Sequence, residues 1–277
     1  MPHDWLANWK PVVHSWDGWL LTLILSGLVP FHGVLAYGRL KMVAGVIPTR
    51  RKLRLYGTIV AMEWGLVAAT FAVAYHHGLG PRDLGQTIGN ARLTLAVTVL
   101  GLLGLLALTG FNMHQIRHAG RDELLATVRR ARKFVPVGRT QVAAFSVVAV
   151  TAGICEEILY RGWLVSFMGS LVGSIWVGMI LAAILFGAGH AYQGRQGIAA
   201  TGTLGIVFGT MFVLVKSLVP GQAIHAAIDV VNGILAGRVV KRLGPEVEEE
   251  AAASPGEAPP VHAEDLEGGT DVGVTSA

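Results

Sequence analysis

Apolar runs of about 20 residues recur along this chain, and short polar stretches separate them. A helix needs about that length to cross the hydrocarbon core of a bilayer. The pattern therefore predicts seven membrane-spanning helices. Their expected bounds are 18–37, 55–75, 91–111, 141–167, 171–191, 197–217 and 221–240.

The fourth apolar run, residues 141–167, is longer than one perpendicular span requires. It is interpreted either as a tilted helix or as a span followed by a short interfacial piece that begins at Trp163. The second interpretation raises the count to eight helices. The predicted fold class is all-α, a polytopic membrane helical bundle of seven to eight transmembrane helices.

Three regions are predicted along the chain. Residues 1–140 hold a Trp-rich interfacial segment, with no visible cleavable signal peptide, and three transmembrane helices. Residues 141–243 form a helical core that contains the remaining spans. Residues 244–277 are rich in Glu, Pro, Ala and Gly and contain no Lys or Arg, which predicts a disordered acidic tail.

Composition agrees with a membrane protein. Only 14% of the residues are charged, against about a quarter in soluble domains. Residues 1–243 hold all 22 basic residues and nine of the 18 acids, so that body carries +13 and the tail carries −9. Because the basic residues lie between apolar runs, their charge favours cytoplasmic loops over nucleic-acid binding. The single cysteine, Cys155, excludes an intrachain disulfide and a cysteine-rich metal site.

Basic residues in the loops predict the orientation. Six lie between the first and second spans and seven between the third and fourth, whereas the loop of residues 76–90 has only Arg82. Loops rich in Lys and Arg remain on the cytoplasmic side. We therefore expect a multi-pass protein of the cell membrane with cytoplasmic basic loops, a cytoplasmic C-terminus and an external N-terminus.

Ionisable residues inside an apolar span are costly, so each needs a partner or a function. One such residue, Glu63, lies in the second span. The others are concentrated in the predicted core: Glu156, Glu157, Arg161, His190, His225 and Asp229. This clustering indicates a functional site.

The two adjacent glutamates are expected to differ in role. Residues four apart share a helix face, so Glu157 can pair with Arg161, whereas Glu156 points about 100° away. Glu156 is then left as a free carboxylate and a candidate general base. The alternative is that both glutamates form structural ion pairs.

Two histidines add to this candidate site. His190 follows small residues near the end of the fifth span, and His225 shares a helix face with Asp229. Two histidines and two carboxylates suit either a water-activating site or a metal site. Because His190 ends one span and His225 begins another, their convergence requires a tilted or broken helix.

Three motifs resemble a known family, the CAAX-protease and bacteriocin-processing (CPBP) type of intramembrane endopeptidase, which includes the type II CAAX prenyl-protein endopeptidases. Its patterns are Glu-Glu-x-x-x-Arg, Phe-x-x-x-His and His-x-x-x-Asn/Asp. They are met in order by Glu156, Glu157 and Arg161, by Phe186 and His190, and by His225 and Asp229. The resemblance covers about residues 141–240.

The resemblance implies a helical membrane protease in which Glu156 and His190 activate water, while His225 and Asp229 polarise the scissile carbonyl and hold its oxyanion. The prenyl-protease branch has asparagine where this chain has Asp229. An ionised aspartate cannot donate to an oxyanion. Asp229 therefore acts either as a protonated donor or as a carboxylate that orients His225.

The leading hypothesis is an intramembrane endopeptidase acting on a protein or peptide substrate. Non-enzymatic alternatives are a membrane scaffold or sensor, and an ion or proton transporter whose path is lined by the carboxylates Glu63, Glu156, Glu157 and Asp229. The zinc-peptidase pattern His-Glu-x-x-His is absent from the chain, which favours a glutamate mechanism with no cofactor and no metal ligands. A zinc-dependent variant stays open, as do the substrate and the oligomeric state.

Overall fold

The computed structural model describes residues 4–41 and 47–253. Those residues contain helices and connecting turns but no β-strand, which confirms the all-α class. These described residues form twelve α-helices: α1 Asp4–Asn8, α2 Lys10–Val13, α3 Trp16–Leu23, α4 Val29–Lys41, α5 Thr49–His76, α6 Ala91–His118, α7 Arg121–Ala131, α8 Arg139–Glu156, α9 Val165–Val172, α10 Ile175–Gly189, α11 Gly194–Val215 and α12 Val219–Ala253. Two π-helical stretches, Ile24–Leu28 and Glu157–Leu164, join α3 to α4 and α8 to α9.

Six continuous helices in the described ranges are long and apolar enough to cross a membrane. They are Trp16–Leu40, Thr49–His76, Ala91–His118, Arg139–Val172, Ala191–Val215 and Val219–Val247. The remaining predicted span, 171–191, is fifth in chain order and corresponds to the shorter apolar helix α10. It begins at Ile175 rather than at residue 171, because Gly173 adopts a φ of +72° that ends α9. The polytopic bundle is thus confirmed.

The long fourth run is one continuous helical segment. It passes from α8 through the π-helix Glu157–Leu164 into α9 without a break. The interfacial piece expected from Trp163 is not formed. Trp163 is fully buried and its indole N–H donates to the Thr22 hydroxyl at 3.0 Å.

The centre of the bundle is the buried π-helix. All of its residues are buried, and α8 packs against both α5 and α12. A Cβ on Gly153 would lie 2.5 Å from the backbone nitrogen of Ala226. This close approach brings the end of α8 beside the first turns of α12.

The N-terminal segment packs into the bundle rather than lying only at its surface. Trp9 is fully buried, and its ring meets Trp163 edge-on with centroids 5.3 Å apart. Ser170 donates its hydroxyl to the carbonyl of Leu6 at 2.9 Å. The apolar ring of Trp9 is therefore part of the hydrophobic core.

Helix α12 continues ten residues into the region predicted as a disordered tail. Val247 is 1% exposed and packs with Leu125, Val128 and Val240. Arg121 also donates to Glu246 at 2.8 Å. The apolar contact of Val247 explains why the helix extends past residue 243, and residues 254–277 lie outside the described ranges.

The two ends of the bundle carry different loops. At one end the predicted basic loops meet, since Lys52 donates to the carbonyl of Val135 at 2.7 Å and Tyr56 donates to that of Phe134 at 3.1 Å. At the other end, the loop of residues 76–90 meets the turn that precedes α12, where the Leu218 N–H donates to the Gly85 carbonyl at 3.0 Å. Loops predicted to lie on the same side of the membrane therefore lie at the same end of the bundle.

Candidate active site

Glu157 lies at the first position of the π-helix and is completely buried. Its Oε1 atom is 3.0 Å from Nη1 of Arg161 and 3.0 Å from Nδ1 of His225. A Cβ on Gly221 would lie 2.9 Å from Oε2, so α12 closes over this carboxylate without a side chain. Glu157 is thus the point at which the π-helix and α12 are joined.

Arg161 completes this buried pair and is 2% exposed. Its guanidinium lies over the Phe186 ring at 4.3 Å and near the Phe208 ring at 5.4 Å. The electron-rich faces of aromatic rings attract a desolvated cation. The two rings and the Glu157 carboxylate together stabilise the Arg161 guanidinium, whose burial in an apolar core would otherwise cost free energy.

His225 is oriented by Glu157. An ionised carboxylate can only accept a hydrogen bond, so the pairing with Glu157 Oε1 assigns a proton to Nδ1 of His225. The other nitrogen, Nε2, then faces two acids, Glu156 Oε2 at 3.8 Å and Asp229 Oδ2 at 3.6 Å. Phe208 stacks on the imidazole with centroids 5.5 Å apart. The carboxylate that pairs with Nδ1 of His225 is therefore that of Glu157. On sequence alone, Asp229 was considered as the carboxylate that orients His225.

Glu156 and Asp229 are the more accessible acids of the site. Their side chains are 21% and 36% exposed, against 1% for Glu157. One residue along the helix therefore separates a fully buried carboxylate from a partly accessible one. This difference in exposure agrees with helix geometry, which turns neighbouring side chains about 100° apart.

His190 caps the end of α10 and reaches the same region. Its Nδ1 is 2.9 Å from the Phe186 carbonyl, which fixes the proton on Nδ1 and leaves Nε2 as an acceptor. The Phe186 ring lies between the two histidines, 4.8 Å from the His190 ring and 6.3 Å from the His225 ring. The His190 imidazole also interacts electrostatically with Asp229.

The short length of α10 bears on how His190 reaches the region of His225. Its 15 residues extend about 22 Å, whereas the hydrocarbon core is about 30 Å thick. A helix of this length that starts near one face ends inside the membrane. The required broken helix is thus α10, which stops at Gly189 and turns into the short 3₁₀ segment Ala191–Gln193.

Glu63 of α5 also belongs to this site. It is 8% exposed, and its Oε2 atom has no hydrogen-bond donor within the described ranges. It interacts electrostatically with Glu156, His225 and Asp229. The sequence linked Glu63 with Glu156 only in the transporter hypothesis, because the packing of α5 against α8 has no local sequence signal.

Carboxylate and imidazole groups of this kind are also zinc ligands. Because Nδ1 of His225 is engaged by Glu157, only its Nε2 is free to coordinate an ion. That nitrogen, with Glu156 and Asp229, would be the donor set of a zinc-dependent variant.

The comparisons with known proteins agree with the motifs. Residues 138–231 match the family model described as type II CAAX prenyl endopeptidase Rce1-like. The matched segment runs from α8 into α12 and contains Glu156, Glu157, Arg161, His190, His225 and Asp229, whereas Glu63 lies outside it. The match confirms the resemblance seen in the sequence and, with the apolar helices, supports a membrane protease. Searches of curated proteins and of solved structures each found no match to the chain.

Proposed function

We propose that this chain is an intramembrane endopeptidase in which Glu156 and His190 activate water for attack on a peptide bond. The observation that carries the proposal is the setting of His225. Its Nδ1 is held by the buried Glu157–Arg161 pair, and its Nε2 faces the accessible acids Glu156 and Asp229. A positioned imidazole beside a free carboxylate suits acyl hydrolysis.

The proposed reaction assigns one task to each group. Glu156, assisted by His190, takes a proton from water, and the resulting hydroxide attacks the carbonyl carbon. The oxyanion that forms accepts hydrogen bonds from Nε2–H of protonated His225 and from Asp229. The C–N bond then breaks, and the proton held by Glu156 passes to the leaving amine nitrogen.

Asp229→Asn is expected to keep most of the activity. Glu157 already orients His225, so position 229 is assigned the donor role, and an asparagine N–H₂ donates at every pH. Aspartate donates only when protonated, so wild-type activity falls as pH rises through its ionisation, and the variant retains activity at higher pH. A pH–rate profile of the two proteins measures this difference. A large loss at every pH would reject the donor role, as happens when an orienting aspartate is removed from a serine-protease triad.

Glu63→Gln separates the protease from the transporter hypothesis. Glu63 is neither the proposed base nor the oxyanion donor, so the change should lower cleavage by less than about tenfold, against 10²–10⁴ for loss of a general base. A carboxylate path for ions would need Glu63 as much as Glu156. Cleavage and proton or ion flux are both measured for each variant in proteoliposomes. Glu246→Gln is the control, because Glu246 pairs with Arg121 away from the active site. Flux that both Glu63→Gln and Glu156→Gln abolish would favour a transporter.

The substrate is tested without assuming its identity. Terminal-peptide proteomics compares membranes from cells that produce wild-type protein or Glu156→Gln. New protein termini that appear only with wild type identify the cleaved proteins and the position of the bond. Equal termini in both samples would favour the scaffold or sensor hypothesis. A cysteine-containing peptide with and without a prenyl group then tests whether the chain shares the substrate class named in its family's description.

We also propose that the end of the bundle with the basic loops is cytoplasmic. In a Cys155→Ser background, cysteines are introduced singly at Arg51 and Arg82, two exposed arginines at opposite ends. A membrane-impermeant thiol reagent should label position 82 in intact cells and position 51 only after the membrane is opened. The reverse result would invert the orientation.

A further inference from the structure

A cluster of three metal-ligating side chains lies away from the active site. It consists of Asp17, His76 and His77, each of which offers one ligand atom within 4.8 Å of the others. Nε2 of His77 is 2.9 Å from Oδ1 and 3.2 Å from Oδ2 of Asp17. The cluster is at the end of the bundle opposite the basic loops, where α3 begins and α5 ends.

Both sides of the cluster are held by backbone structure. Asp17 lies in the first turn of α3, and its Oδ1 accepts the Gly18 N–H at 3.0 Å. His76 is the last residue of α5 and His77 is its C-cap, with its N–H directed at the carbonyls of Val73 and Ala74. Neighbouring residues do not face each other within a helix. Here the helix ends between them, and the two rings lie 4.9 Å apart.

We propose that Asp17, His76 and His77 form a binding site for a divalent transition metal of the zinc class. Two imidazole nitrogens and one carboxylate oxygen are the donors such an ion prefers, with water as the fourth ligand. Tetrahedral zinc places its ligand atoms about 3.3 Å apart. The three ligand atoms now lie within 4.8 Å of one another, so small side-chain movements would bring them to that distance. His76 is exposed and the other two side chains are partly so, at 14% for His77 and 16% for Asp17. An ion can therefore enter from the aqueous side.

The competing interpretation is a plain ion pair between His77 and Asp17 that ties α5 to α3. That interpretation assigns no role to His76. A metal site requires all three residues, so the exposed His76 discriminates between the two. Because His76 is exposed, its replacement is expected to leave the fold intact.

The test uses the full chain purified without a polyhistidine tag in detergent. Co²⁺ is titrated and followed by its visible absorption, and Zn²⁺ is titrated by calorimetry. Wild type should bind the ion. Because His76→Ala, His77→Ala and Asp17→Asn each remove a ligand, each should weaken binding by at least the about 10- to 100-fold that loss of an outer-shell partner costs. Zinc should also raise the melting temperature of wild type and not that of His76→Ala.

Two matched controls locate the ion. His114 and His118 form another exposed histidine pair, on α6, with ring centroids 4.4 Å apart, and His114→Ala should leave the affinity unchanged. Glu156→Gln should do the same, because the active site is separate. Binding that survives His76→Ala, or that is lost with His114→Ala or Glu156→Gln, overturns the proposal.

Discussion

Replacing Glu156 with glutamine is expected to abolish cleavage while the protein remains folded. Loss of a positioned general base costs about 10²–10⁴ in rate, and glutamine keeps the size of the side chain but cannot take a proton. Glu156 is 21% exposed and pairs with no arginine within the described ranges, so its removal leaves no buried charge. The expected signature is lost turnover with an unchanged melting temperature.

The measurement compares initial cleavage rates of wild type and Glu156→Gln on a substrate found by terminal-peptide proteomics, together with thermal melts in the same detergent. Glu63→Gln is the matched control, since it makes the same chemical change on a neighbouring acid of the same site. Near-normal cleavage by Glu156→Gln would refute the base assignment. A large drop in melting temperature would instead give Glu156 a structural role.

Glu157→Ala and Arg161→Ala are expected to have the largest effects on stability. The two side chains are 1% and 2% exposed, and their charged groups lie 3.0 Å apart. Removing one partner of a buried pair leaves an uncompensated charge and costs about 3–5 kcal/mol. Loss of Glu157 also removes the hydrogen bond to His225. Both variants should give less folded protein and melt earlier than wild type.

Thermal unfolding in detergent measures this effect, and Glu156→Ala is the control one position away. That variant should melt like wild type, because its carboxylate is partly accessible. The double variant Glu157→Met/Arg161→Met should lose less than the sum of the single changes, since apolar side chains leave no unpaired charge. If both alanine variants melted with wild type, the pair would not be a structural element.

Much of the fold was predictable because a bilayer imposes strong rules on sequence. An apolar run of the right length specifies a helix, so the predicted run 91–111 lies within Ala91–His118 and the run 55–75 within Thr49–His76. The different environments of Glu156 and Glu157 followed from the angle between neighbouring residues on a helix. These features depend on local sequence alone.

Other features depend on packing between distant segments, which a single sequence does not encode locally. Glu63 enters the site only because α5 packs against α8. Trp9 is buried because Trp163 is inside the bundle, and α12 extends because Val247 meets Leu125. The π-helix is a further case, since residues 157–164 have no sequence pattern that distinguishes its wider turn from an α-helix.

Glu157 pairs with both Arg161 and His225. This affects how variants of this chain are interpreted. One carboxylate serves both the assembly of the helices and the alignment of the imidazole. A substitution there lowers protein yield before any assay of turnover is made, so a screen that discards poorly expressed clones removes it as a folding defect. A library that scores abundance and turnover separately will find the two quantities inseparable at Glu157 and independent at Glu156, its immediate neighbour.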